Sequence, residues 1–96
     1  MRQRLTGKFV RATSHVVFEE LPEGGLALLN SMTQQYFRLD PIGARMWTAL
    51  LGNASIDAAA SALLEEFDVE PDRLWQDLAE LIGQLEHVGL VEVTDG

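Results

Sequence analysis

The spacing of apolar positions along the chain changes once, near residue 40. Before that point apolar residues come in short runs at strand spacing. Residues 15–21 (HVVFEEL) put Val16 and Phe18 on one face of an extended segment and Val17 and Leu21 on the other. Pro22-Glu23-Gly24-Gly25 reads as a turn, with proline fixing one φ and the glycines free to take positive φ. Residues 26–29 make a second apolar strand, and Asn30-Ser31-Met32-Thr33 reverses the chain again. Residues 34–39 (QQYFRL) make a third, with Phe37 and Leu39 on one face and Tyr36 and Arg38 on the other. Connections this short predict an antiparallel meander.

After residue 40 the period becomes helical. Asp40-Pro41 is a start signal, a capping carboxylate followed by proline at the first helical position, where its missing N–H costs nothing. Ile42, Met46, Trp47, Leu50 and Leu51 form the apolar face of this helix, and Gly52-Asn53 stops it. Ser55 caps a second helix whose Ile56, Ala59, Ala60, Leu63, Leu64 and Phe67 recur at i, i+3, i+4, i+7 and i+8. Glu70-Pro71 repeats the acid-then-proline start, and Asp72 suits the positive end of the helix dipole. The third helix runs to Val88, is closed by Gly89, and leaves Val91-Glu92-Val93 as a short terminal strand. The expected fold class is α+β: an N-terminal three-stranded antiparallel β-meander followed by a three-helix bundle, like a winged helix-turn-helix.

The third helix is more apolar than one core face requires. Leu74, Leu78, Leu81, Leu85 and Val88 make a core stripe, and Trp75, Ala79 and Ile82 make a second stripe beside it. One reading is a wide core face in a small domain. The other is a half-exposed groove wall, with tryptophan as an interface anchor.

Composition narrows the class. Ninety-six residues, 47% hydrophobic and 23% charged, make one globular domain. With no cysteine, disulfides, thiolate metal sites and cysteine nucleophiles are excluded. No apolar run reaches the ~18 residues of a membrane helix, and residues 1–11 lack an apolar signal core. The expectation is a cytoplasmic protein with no membrane association.

Charge is unevenly distributed within a net −8. Arg2, Arg4, Lys8 and Arg11 stand in the first eleven residues without an acid. The rest sets Arg38, Arg45 and Arg73 against fifteen acids. Residues 1–11 therefore read as a basic tail, frayed and solvated or docked on an acidic surface, ahead of one domain at 12–96. The body repels phosphate backbones. A recognition helix offering Arg73, Gln76 and Gln84 among Glu70, Asp72, Asp77, Glu80 and Glu86 is wrong for DNA, so no nucleic-acid partner is expected.

No catalytic constellation emerges. His15 and His87 lack metal or catalytic spacing, and His87 suits the negative end of its helix. No serine sits in a G-x-S-x-G elbow, and Gly24-Gly25 lacks the lysine and setting of a phosphate cradle. The series Glu66, Asp68, Glu70, Asp72 lacks the central glycine of a calcium loop and contains Pro71. The expectation is a binding module, not an enzyme, with no metal and no cofactor.

The local pattern carries a resemblance. Gly25-Leu26-Ala27-Leu28-Leu29-Asn30, then Gln35-Tyr36-Phe37-Arg38-Leu39-Asp40-Pro41-Ile42-Gly43-Ala44-Arg45-Met46-Trp47, resembles the PqqD-like family. So does the closing run from Glu66-Phe67-Asp68-Val69-Glu70-Pro71 through Asp77-Leu78 to Leu85 and Gly89-Leu90-Val91. These small winged-helix proteins, the RiPP recognition elements, bind leader segments of ribosomally made peptides. The Leu-Asp-Pro-x-Gly-Ala-x-x-Trp stretch is most similar to the stand-alone, B1-type members of lasso peptide pathways. The resemblance spans residues 10 to 93, and residues 1–11 fall outside its motifs.

The resemblance implies that a leader peptide adds as an antiparallel strand along the third strand, in a cleft walled by the third helix. The edge would be Gln34, Gln35, Tyr36, Phe37, Arg38 and Leu39, and the wall Trp75, Leu78, Ala79 and Ile82. Asp72, Asp77 and Glu86 would pair with basic leader residues. The bound precursor would pass to a separate B2-type leader peptidase and an ATP-dependent cyclase. Two alternatives stay open: a PqqD-like peptide chaperone for a radical SAM modifying enzyme, and a winged-helix nucleic-acid-binding protein.

Overall fold

The computed structural model describes residues 5–95. Strands β1 (Lys8–Ala12), β2 (Val16–Glu20), β3 (Leu26–Asn30) and β4 (Gln35–Leu39) precede helices α1 (Pro41–Gly52), α2 (Ile56–Glu66) and α3 (Pro71–His87), and β5 (Val91–Asp95) closes the chain. They form two separate sheets: an antiparallel β1–β5 pair and an antiparallel meander in the order β2-β3-β4. The α+β class and the meander followed by three helices are as the patterning predicts.

Local chemistry sets the helix ends. Asp40 Oδ1 accepts from the Gly43 N–H at 2.7 Å, and Ser55 Oγ accepts from the Ala58 N–H at 3.0 Å, each satisfying an orphan donor of the first turn. Glu70 stands at the cap of α3 without a side-chain capping bond, so that start rests on Pro71 and on Asp72 in the first turn. At the other end of α3 the Leu90 N–H reaches the Leu85 carbonyl and the Gly89 N–H reaches that of Glu86. This is a Schellman closure, and it needs the left-handed φ of +75° that Gly89 supplies.

The basic N-terminal segment is where the expectation fails. Residues 8–11 are strand, not tail: β1 pairs with β5 from Lys8↔Asp95 to Ala12↔Val91. Val10 is buried, and Phe9 and Ala12 are half-buried. Two of the basic side chains face acids in register, Lys8 against Asp95 at 3.2 Å and Arg11 against Glu92 at 2.8 Å. The partner strand lies about eighty residues away, and no local pattern could announce it. Arg2 and Arg4 lie outside the described residues.

The core forms where α1, α2 and α3 meet both sheets. Leu28, Ile56, Leu78, Ile82, Leu85 and Leu90 are completely buried. β1 contacts α1 and α2, and β5 contacts α3, whereas the three-stranded sheet meets the helices chiefly through β4 and α1. Opposed residues of the meander share a face, so Phe18, Leu28 and Phe37 form one inward row and Val17, Leu29 and Tyr36 one outward row. Arg45 spans α1 and α2 with a bidentate pair to Glu66 at 2.8 and 2.7 Å. Those hydrogen bonds hold the Glu66 carboxyl below its ordinary pKa.

Candidate groove between strand β4 and helix α3

β4 pairs with β3 on one side and with no other strand among the described residues. Its second side is an open edge. The strand starts at Gln35, one residue later than expected. Gln34 has φ +65° and belongs to the turn, where its N–H bonds the Asn30 carbonyl at 2.7 Å. Gly25 lies against the far end of the strand: a Cβ there would fall 2.3 Å from the Leu39 carbonyl oxygen, so only glycine permits this approach.

Alternation along β4 sends Phe37 and Leu39 inward and leaves Tyr36 and Arg38 exposed on the outer face. Beside the inward pair opens a hollow of about 320 Å³. Its apolar floor is Phe37, Leu39, Ile42, Met46 and Leu81. Ile42 stands 55% exposed at the start of α1, an apolar side chain held in water beside the opening. Asp40, Asp77, Glu80, Arg38 and Gln84 make the polar rim. Arg38 is already paired with Glu23 at 2.9 Å, so acids outweigh bases on the rim even though Arg73, 3.5 Å from Asp77, offsets one of them.

The residues expected as the α3 wall lie elsewhere than this hollow. None of Trp75, Leu78, Ala79 and Ile82 lines this hollow; Asp77, Glu80, Leu81 and Gln84 do. Leu78 and Ile82 are completely buried and have no surface to offer, and Ala79 is half-buried against the core. Trp75 lines a different hollow with Ala60, Ser61, Leu64 and Pro71, on the α2 side. The reason is angular. One residue turns a helix by ~100°, so Trp75 and Ala79 lie to one side of the Leu78 stripe while Asp77 and Leu81 lie to the other.

Of the three acids expected at the site, Asp77 lies on the rim, and Asp72 and Glu86 do not. The expected site residues did not include Asp40, Ile42, Met46, Glu80, Leu81 or Gln84, all of which line this hollow. The signal for Ile42 was available: it stands in the first turn of a capped helix that directly follows the strand, and so had to sit near the strand's end. The signal for Glu80 and Gln84 was not, because a search for spare apolar surface passes over polar positions.

Among the described residues no helix is long and apolar enough to cross a membrane, and no group of three or more His, Asp or Glu could hold a metal ion. What the fold defines is a small α+β domain of peptide-binding build, an open strand edge over an apolar floor with a helix as the opposite wall.

Comparison with known proteins agrees with that class. The model of the family described as coenzyme PQQ synthesis protein D (PqqD) matches residues 25–91, and this chain belongs to that family. Two solved structures share its fold. One, "TbiB1 in complex with the TbiA(beta) leader peptide", is 26% identical, covers 85% of this chain and 94% of its own, and superposes with a TM-score of 0.78. The other, "Lasso peptide synthetase B1 complexed with the leader peptide", is 24% identical, covers 86% of this chain and 96% of its own, and gives 0.77. No curated protein sequence matches the chain.

Proposed function

We propose that this protein binds the leader segment of a ribosomally synthesised precursor peptide and presents it to separate enzymes, a leader peptidase and an ATP-dependent cyclase, in lasso peptide biosynthesis. The observation that carries the reading is the open β4 edge above an apolar floor, in a fold whose solved relatives hold leader peptides. The leader adds as an antiparallel strand beside Gln35, Tyr36, Phe37, Arg38 and Leu39. Main-chain hydrogen bonds supply affinity, and inward side chains reaching Phe37, Ile42, Met46 and Leu81 set the register. Asp77, Glu80 and Asp40 favour a basic-leaning segment and act mainly on the association rate. The protein itself catalyses nothing; it works in the cytoplasm as a carrier.

Fluorescence anisotropy with a labelled synthetic leader, taken from the precursor encoded beside this gene, tests the reading. Saturable binding that weakens when an unlabelled copy competes is the expected result. No binding at concentrations of about 100 μM, where Kd would correspond to only about −5.5 kcal/mol, overturns it.

The family match itself favours a second reading, a PqqD-like peptide chaperone serving a radical SAM modifying enzyme. Both bind a leader by the same edge. Co-purification of the leader-loaded protein with the neighbouring peptidase or the neighbouring radical enzyme separates them.

A further inference from the structure

Asn30 is the polar side chain buried among the described residues, at 4% exposure, and every hydrogen-bonding position of its amide is used. Its Oδ1 accepts from the Met32 and Thr33 N–H groups at 3.0 and 3.3 Å, closing the turn between β3 and β4. Its Nδ2 donates to the Val88 carbonyl at 2.8 Å and to the Gly89 carbonyl at 3.4 Å, in the segment that ends α3. One side chain thus joins the strand side of the groove to its helix side, bridging 58 residues of sequence.

A second observation marks the same contact. A Cβ on Gly89 would lie 2.8 Å from Asn30 Nδ2, so this residue must be glycine for the amide to come close as well as for its left-handed φ. The position in the fold gives the contact its weight. Near residue 39 the meander is held by buried Leu26 and Leu39 and by direct continuation into α1. At its other end Asn30 opposes Val16 and Gln35, and neither of those is buried. Half-buried Val16 packs on the core and the Thr13 N–H bonds the Leu90 carbonyl at 3.0 Å, but both act through β2; Asn30 is the side chain that reaches from the β3–β4 turn itself to the end of α3.

We propose that Asn30 is a positioning residue, a latch that sets the width of the groove between β4 and α3 before any peptide arrives. It touches no peptide itself. Its effect on affinity rests on the β-addition reading above; its effect on groove geometry does not. A pre-set groove spares the peptide the cost of ordering the wall it binds. Loosening the latch populates wider grooves, and apparent affinity falls by the fraction that remains competent.

The test substitutes Asn30→Ser, which keeps an oxygen for the turn N–H groups but is too short to reach Val88. The chain has no cysteine, so Tyr36→Cys and Gly83→Cys place spin labels on exposed positions of β4 and α3, the two sides whose separation is in question, in an otherwise native protein. Pulsed electron–electron resonance on the free protein is expected to give a narrow distance distribution that Asn30→Ser broadens or shifts. Affinity for the labelled leader is expected to fall about tenfold, the equivalent of about 1.4 kcal/mol. Thr13→Val serves as control: it removes another bond to the Gly89 carbonyl, from the Thr13 hydroxyl at 2.9 Å, and leaves the main-chain bond from Val16 of β2 to the Thr13 carbonyl in place. It should leave the distance distribution unchanged.

An unbroadened distribution in Asn30→Ser, or the same broadening in Thr13→Val, overturns the latch. Should Asn30→Ser not fold, the isosteric Asn30→Asp, which keeps the acceptor and loses the donor, is read by the same criterion. Wild-type protein that binds no leader while the distributions behave as expected overturns the β-addition reading and leaves the latch standing.

Discussion

The two sheets use the same secondary structure for opposite ends. In the β1–β5 pair, Val10 and Val91 are buried against helices, and ion pairs at 3.2 and 2.8 Å match the strands in register. In the meander, β2 exposes Val17 by 55% and Phe18 by 56%, and β4 leaves an edge open over the groove. The pair is spent on closing the molecule, and the meander is kept available. A small domain gains a binding edge by leaving one sheet incompletely covered, which is a known aggregation hazard unless something occupies it. The acids Glu19 and Glu20 on β2 are the usual protection for the opposite edge.

The sharpest way to break the comparison is within the inward row of the meander. Leu28→Ala is expected to cost about 3 kcal/mol, because a completely buried leucine leaves a cavity. Phe18→Ala, in the same row, is expected to cost under about 1.5 kcal/mol, because more than half of the ring already meets water. Urea denaturation of both reads the difference; equal losses would mean that β2 is as well covered as β3.

A smaller effect concerns the two flanks of α3. Ile42→Gln should weaken leader binding about tenfold by removing apolar contact at an exposed position, with the denaturation midpoint unchanged. Trp75→Ala should leave leader affinity within about twofold, since the anchor it would remove lies at the α2 hollow. A tenfold loss in Trp75→Ala alone would move the binding face to that flank.

The smallest effect is electrostatic and lies outside both sheets. Arg45 holds the Glu66 carboxyl below its unfolded-state pKa, so the pair contributes fully above the unfolded carboxylate range. That contribution is lost as pH falls through the folded-state value. Thermal midpoints of wild type and Glu66→Gln should therefore differ at pH 7 and converge as the solution is made acidic. A difference that persists at low pH would assign the loss to packing instead.

These contrasts also show what the chain could announce about itself. The helix starts were legible because Asp40-Pro41, Ser55 and Pro71 act on neighbours within a few residues. The meander was legible because its turns are short. β1 was not, since what makes residues 8–12 a strand is a partner at residues 91–95. The groove was half legible. Period told which residues of α3 face the core, but the flank beside β4 depends on how the helix packs, so the expected site named Asp77 but left out Glu80, Leu81 and Gln84, which line the hollow there.

The β1–β5 ladder has one further property. Lys8 and Asp95 stand opposite each other at one end of it, while Ala12 and Val91 close the other against the body. Tension or thermal fraying at the outer end loads the hydrogen bonds one after another, as in a zip, rather than all together. Amide protection along β5 should therefore rise from Thr94 inward to Val91, while β1 is anchored at both ends, by buried Leu5 before it and by Ala12 against the body. Added salt should loosen the Lys8–Asp95 pair from the β5 side, because Asp95 is exposed whereas buried Leu5 and the Gly7 N–H on Asp57 Oδ1 at 2.9 Å keep the start of β1 in place.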